Sequence, residues 1–239
     1  MDRPVRPGVP AELEYPDAAL HELLDDAAES YPGATATIFF GHRRTYRALH
    51  RDVVRFSAGL RALGVRPGDP VAIMLPNCPQ FLIAFYATLR IGAVVVPCNP
   101  LYTPREIAHQ LTDAGAETIV VLSRLYPVIR AARAGTPLRN VIVTNIKEEM
   151  PPVTKLLFTL AKKSEDCHSG QLSGGDHWLK DLLAAQAPID HGTAVVTGAD
   201  MALLQYSGGT TGLSKGAIAT HAGLVANALQ IRSWLVDVR

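Results

Sequence analysis

The residues of this chain best suited to chemistry lie in one run, Tyr206-Ser207-Gly208-Gly209-Thr210-Thr211-Gly212-Leu213-Ser214-Lys215-Gly216. These eleven positions hold four glycines, four aliphatic hydroxyls and one lysine, with no acidic residue. Glycines let backbone N–H groups approach oxygens, hydroxyls add further donors, and an ammonium adds a point charge. Such a set suits a polyphosphate. The apolar run Met201-Ala202-Leu203-Leu204 before it predicts a buried strand, and the pattern from Thr220 onward predicts a helix. The expected frame is therefore strand, phosphate loop, helix.

Two rival loops fail on spacing. A nucleotide-triphosphatase P-loop needs Gly, four residues, then Gly-Lys-Ser/Thr. Here Lys215 follows Ser214 and precedes Gly216. The dinucleotide fingerprint Gly-x-Gly-x-x-Gly is also missing. A flexible turn is the bland alternative for a run of this composition.

The run resembles the phosphate-binding signature of the acyl-adenylate-forming superfamily, whose form is aromatic-Thr-Ser-Gly-Thr-Thr-Gly-x-Pro-Lys-Gly. Tyr206, Gly209, Thr210, Thr211, Gly212, Lys215 and Gly216 match. Ser207 keeps a hydroxyl, Gly208 replaces Ser, and Ser214 replaces Pro. The Gly-Gly-Thr-Thr-Gly version is most similar to the bacterial long-chain fatty acid–CoA ligase branch, as is Asn99-Pro100-Leu101-Tyr102-Thr103-Pro104-Arg105-Glu106. The likeness extends from about Tyr15 to Arg239.

The resemblance implies a two-step reaction. A fatty acid carboxylate attacks the α-phosphate of ATP, and the thiol of coenzyme A then displaces AMP. Ser207, Gly208, Gly209, Thr210, Thr211, Gly212, Lys215 and Gly216 would bind the ATP phosphates. Lys215 and Thr210 are the candidate catalytic residues, and His221 is a candidate neighbour of the acyl and phosphate groups. Mg2+ would bridge phosphate oxygens, with its protein ligand outside this chain. Members of the superfamily are considerably longer, so the expectation is an incomplete large N-terminal domain over 1–239, inactive alone. A ligase for another carboxylic acid, an acyl-AMP ligase that loads a carrier protein, and a short non-catalytic nucleotide-binding module stay open.

Composition supports a globular reading, with 48% hydrophobic and 19% charged residues. A net charge of +1 gives no reason to expect nucleic acid. The cysteines Cys78, Cys98 and Cys167 are odd in number and widely spaced, which suggests free thiols in a reducing compartment. Cys167-His168 lacks the second pair that a zinc site needs. No signal peptide is visible, and Arg90 and Gly92 break the longest apolar region below the ~18 residues of a spanning helix. These features predict a cytoplasmic protein. The basic amphipathic stretch 153–163 is a candidate contact with a membrane surface, or else a helix covering the sheet with lysines reaching outward.

Strand-like and helix-like segments alternate along the chain. Expected elements are a helix over 17–32 capped by Asp17, a strand pair over 36–46, and an amphipathic helix ended by Gly64. Strands follow at 71–75, 93–96, 118–122 and 141–143. The helices between them include one that Thr103-Pro104-Arg105-Glu106 opens as a capping box. Continuous Val/Ile strands between helices predict an α/β fold with mainly parallel sheets and flanking helices. Residues 1–16 read as an extended leader, 145–197 as an irregular insertion or connection, and 201–239 as strand, phosphate loop and helix.

Overall fold

The computed structural model describes residues 9–10, 12–161, 172–185, 196–206 and 215–235. The chain begins with α1 (Glu22–Ser30), the hairpin β1 (Thr35–Phe39) and β2 (His42–Thr45), and the long α2 (Tyr46–Ala62). Then come β3 (Pro70–Met74), α3 (Pro79–Arg90), β4 (Val94–Pro97), α4 (Pro104–Ala114), β5 (Thr118–Leu122), α5 (Tyr126–Ala132) and β6 (Asn140–Thr144). Last are α6 (Pro152–Ala161), β7 (His177–Trp178), α7 (Leu179–Ala185), β8 (Met201–Tyr206), β9 (Gly216–Thr220) and α8 (His221–Trp234).

Seven strands form one sheet in the order β7-β6-β5-β3-β4-β8-β9. Every neighbouring pair is parallel except β8 and β9. Both faces are covered, which is why the strands are apolar at every position rather than at alternate ones. Val71, Ile73, Val95 and Val120 face one core with Phe56 of α2 and Ile83 of α3. Ala72, Met74, Val96 and Val121 face the other with Ile107 and Leu111 of α4 and Ile129 of α5. The chain leaves β3 for β4 over one face and returns from β4 to β5 over the other. Such a reversal opens a crevice at the carboxyl ends of the strands.

Local signals were mostly obeyed. Thr45 caps α2 by accepting from the Ala48 N–H. Thr103 and Glu106 form the reciprocal capping box of α4, and Gly115 ends that helix in the left-handed conformation at φ 67°. Asp17 does not cap α1; its carboxylate accepts from the Gly198 N–H at 2.9 Å, and His21 takes the N-cap position. The stretch 145–197, read as an irregular insertion or connection, contributes α6, the edge strand β7 and α7 among its described residues. Its β7 pairs with β6, and α7 packs on α2. Asp176, with a fully buried side chain, ties this stretch to α5 by accepting from the Tyr126 hydroxyl at 2.5 Å and from Arg133 at 2.8 Å.

The expected frame of strand, loop and helix is corrected at one point. The helix expected from Thr220 is there as α8, but an unexpected strand lies between it and the loop. Residues after Lys215 return as β9, antiparallel to β8, with Tyr206 opposite Gly216 and Met201 opposite Thr220. α8 starts only beyond that strand, where Thr220 accepts from the Gly223 N–H. The N-terminus of α8 therefore lies at the far end of the hairpin from Tyr206 and Gly216.

Candidate functional site

The carboxyl ends of β3, β4 and β8 open onto a cleft of about 430 Å³. Asn77, Phe81, Asn99, Tyr102, Gln205 and Tyr206 line it, and no acidic side chain does among the described residues. Apolar walls with a few amide groups make a surface that can receive an anion without repelling it. Cys98 also lines this cleft, but burial pushes its thiol up to about 12, so it stays protonated and unreactive.

Tyr206 is the last residue of β8 and marks the root of the glycine-rich run. Its side chain is 6% exposed. Its hydroxyl donates to Asp113 Oδ2 at 2.5 Å. Burial and this carboxylate both raise the phenol's pKa, so the proton stays on the oxygen. Its ring lies across Gly216: a Cβ there would sit 3.2 Å from Tyr206 Cζ and 2.8 Å from Leu204 Cδ1. Glycine is required at 216 for this close approach. Lys215, next to it, is exposed. Ser207, Gly208, Gly209, Thr210, Thr211 and Gly212 lie outside the described residues.

The structure does not bring His221 to this end of the sheet. Loop residues adjoin the Tyr206–Gly216 pair, whereas His221 follows the Met201–Thr220 pair at the other end of the hairpin. At ~3.3 Å per residue the two ends are about 13–17 Å apart. His221 is 1% exposed, and its Nδ1 accepts from the Leu20 N–H at 3.0 Å. Burial lowers its pKa, against a smaller pull from Asp200. It is a neutral packing histidine that pins the segment before α1 to the start of α8.

Two residues near the loop carry no sequence signal. Asp113 and Gln110 are three apart on α4 and so share a face. Gln110 donates to the Pro97 carbonyl at 3.0 Å, at the end of β4, while Asp113 holds Tyr206 at the end of β8. Neither belongs to a recognisable motif, because each acts on a strand far away in sequence.

Comparison with known proteins fixes the family. The family described as AMP-binding enzyme matches residues 24–238. The chain belongs to the AMP-binding enzyme family. This AMP-binding chain is 32% identical over 237 residues to a long-chain-fatty-acid–CoA ligase of Bacillus subtilis, covering 97% of this chain and 41% of that protein. It is 35% identical over 234 residues to the corresponding ligase of Salmonella typhimurium, covering 94% and 41%. Among solved structures, a long-chain-fatty-acid-CoA ligase from Archaeoglobus fulgidus superposes with a TM-score of 0.75 at 28% identity, over 95% of this chain and 41% of that one. An anthranilate CoA ligase superposes at 0.72 with 21% identity, over 86% of this chain and 35% of that one, a likeness of fold alone. The AMP-binding chain thus spans about two fifths of the length of the curated relatives it matches.

The residues at the cleft can be weighed against the groups that such an enzyme handles. A neutral polar lining with an exposed lysine at the loop root fits the phosphates of ATP. Among the described residues, no cluster of three or more His, Cys, Asp or Glu could hold a metal ion. No described helix is long and apolar enough to cross a membrane. On α6, Leu156 and Leu157 are 61% and 62% exposed, so neither covers the sheet.

Proposed function

We propose that this chain forms the triphosphate-gripping part of an ATP-dependent acid–thiol ligase acting on a fatty acid. Adenylation of the carboxylate would be followed by transfer to coenzyme A. The observation that carries the reading is the placement of Tyr206 and Gly216. They are paired strand ends at the carboxyl edge of a parallel sheet, and the run rich in glycine, hydroxyl groups and lysine joins them. The long-chain ligases among the relatives favour a fatty acid over other acids.

The chemistry sets the demands. A carboxylate and a triphosphate are both anions, so the first step needs oriented donors and positive charge around the phosphates. Ser207, Thr210, Thr211 and the backbone amides of Gly208, Gly209, Gly212 and Gly216 supply the donors, and Lys215 supplies the charge. In this reading Thr210 and Lys215 touch the β- and γ-phosphates and draw off the charge that develops as pyrophosphate leaves. Mg2+ bridging the same oxygens would add to that neutralisation. His221 has no part in it. The protein works in the cytoplasm and collects its acid at a lipid surface through α6.

The test is equilibrium binding of Mg-ATP and of inorganic tripolyphosphate to the chain and to Lys215→Ala and Thr210→Ala. Each substitution should weaken both ligands by about tenfold, the worth of a charge-assisted hydrogen bond. Equal affinities in all three proteins would end the phosphate reading. The 239 residues alone should show no fatty-acid-dependent exchange of pyrophosphate into ATP, whereas a chain of the relatives' full length should show it.

A further inference from the structure

We propose that Asp113 is a positioning residue for the phosphate loop, acting through the hydroxyl of Tyr206. The inference rests on the phosphate reading given above and adds to it a source of rigidity outside the loop motif. Tyr206 and Gly216 are the two strand ends between which the loop is strung. Their separation and direction decide where Lys215 and the loop amides point. Hydrogen bonds between β8 and β9 fix only the backbone ladder. Gly216 has no side chain of its own, and Gly and Ala are weak strand formers, so this end of β9 needs support from its partner. The Tyr206 ring provides it by covering Gly216, with Leu204 alongside. Such an aromatic cover stabilises a glycine on an edge strand.

A ring can cover a glycine only if it is held in one rotamer. Asp113 holds it. Its carboxylate lies in the last turn of α4, where the helix carbonyls make a negative charge unfavourable. A carboxylate placed at such a cost has a partner that repays it locally, and the Tyr206 hydroxyl at 2.5 Å is that partner. The helix carrying Asp113 is itself braced. Gln110, one turn earlier and 1% exposed, donates to the carbonyl of Pro97 at the end of β4. One face of α4 thus clamps the carboxyl ends of two adjacent parallel strands, β4 and β8, at the cleft. The capping box that opens α4 at Thr103 follows the Asn99–Pro100 segment, which lines the same cleft. The wall of the cleft and the root of the loop therefore share one rigid support.

The expected behaviour is selective. Without the tether the ring is free to leave Gly216, and loop and lysine must be ordered by the ligand itself, which lowers affinity. Tripolyphosphate and Mg-ATP binding would be measured for the chain, Asp113→Ala, Asp113→Asn, Tyr206→Phe, the double variant Asp113→Ala/Tyr206→Phe, and Lys215→Ala. Thermal melts and amide exchange at 215–217 would be recorded alongside. Asp113→Ala and Tyr206→Phe should each weaken binding about tenfold. The double variant should be no weaker than either alone, because both remove one bond. Asp113→Asn keeps an oxygen acceptor and should stay within about threefold of the parent. Amides at 215–217 should exchange faster in the two weakened variants, with the remainder of the sheet unchanged. Additive losses in the double variant, unchanged affinity on losing the tether, or losses matched by a proportional fall of the whole melt would overturn the proposal. If Lys215→Ala weakens binding while the tether variants do not, only the positioning role fails. If Lys215→Ala binds as the parent does, the phosphate reading fails with it.

Discussion

Gly216→Ala is the substitution whose outcome the geometry sets most directly. The added methyl carbon would lie 2.8 Å from Leu204 Cδ1, 3.0 Å from Leu204 Cγ and 3.2 Å from Tyr206 Cζ. Ordinary carbon–carbon contacts begin near ~3.5 Å, so the overlaps are about 0.7, 0.5 and 0.3 Å. Neither neighbour can yield freely. Tyr206 is tethered to Asp113, and Leu204 packs against the buried cluster under α4 and α5. Overpacking of this kind costs about 1–3 kcal/mol. For a chain of this size each kcal/mol moves the melting midpoint by about 2–4 °C, so Gly216→Ala should melt about 2–12 °C lower. Gly33→Ala is the matched control. A Cβ there meets nothing within 4 Å, so alanine should be neutral or should stabilise by up to about 1 kcal/mol through the unfolded chain. A Leu204→Ala background removes the two nearest atoms, so adding Gly216→Ala there should cost less than in the parent. Differential scanning calorimetry of the parent, the two single glycine variants, Leu204→Ala and the Leu204→Ala/Gly216→Ala double variant reads all of this. Equal melts for Gly216→Ala and Gly33→Ala, or an undiminished cost in the Leu204→Ala background, would refute the close packing at the loop root.

Other outcomes follow from single contacts. Burial holds His221 below its usual 6.5, so the unfolded chain binds the proton more readily than the native one. The neutral imidazole's contribution is complete above pH 6.5 and is lost as the pH falls from there through the native value. The melt of the parent minus that of His221→Asn should decline in that window, and a flat difference would contradict the buried, neutral assignment. Arg90 is 4% exposed and donates to both oxygens of Asp25 at 2.6 Å, joining α3 to α1. Removing one partner of a buried pair costs about 3–5 kcal/mol, and because the Asp25 side chain is 28% exposed the loss here falls at or below the lower end of that range. Arg90→Met should lose about 2–3 kcal/mol in urea unfolding, and a loss within error of zero would show the pair to be worth no more than a surface one. If α6 meets lipid, Leu156→Glu and Leu157→Glu should abolish co-sedimentation with anionic vesicles while leaving tripolyphosphate affinity unchanged. Undiminished sedimentation would remove the membrane contact.

Legibility differed from element to element, for physical reasons. β3, β4, β5 and β6 were plain because strands buried on both faces must be apolar at every position. α4 was plain because its start and stop are written in local chemistry, in Thr103, Pro104, Glu106 and Gly115. β9 was not, because Gly216-Ala217-Ile218-Ala219-Thr220 has weak strand propensity and becomes a strand only by pairing with β8. β7 has two residues, too few for any period to register. Asp17 has the right chemistry for a cap, but Gly198 competes for its carboxylate across the fold.

The sequence by itself determined the family and the parallel α/β plan, and it supplied the residues proposed here to grip phosphate, because these rest on local composition and on periods of a few residues. Tertiary structure decided three further things. The strands on either side of residues 207–214, β8 and β9, pair antiparallel, and α8 begins only beyond the second. His221 sits at the far end of that hairpin. Asp113, 93 residues away, holds Tyr206 in place. All three are matters of which backbone edge and which buried donor meet once the sheet closes, and no short stretch of chain encodes such a meeting.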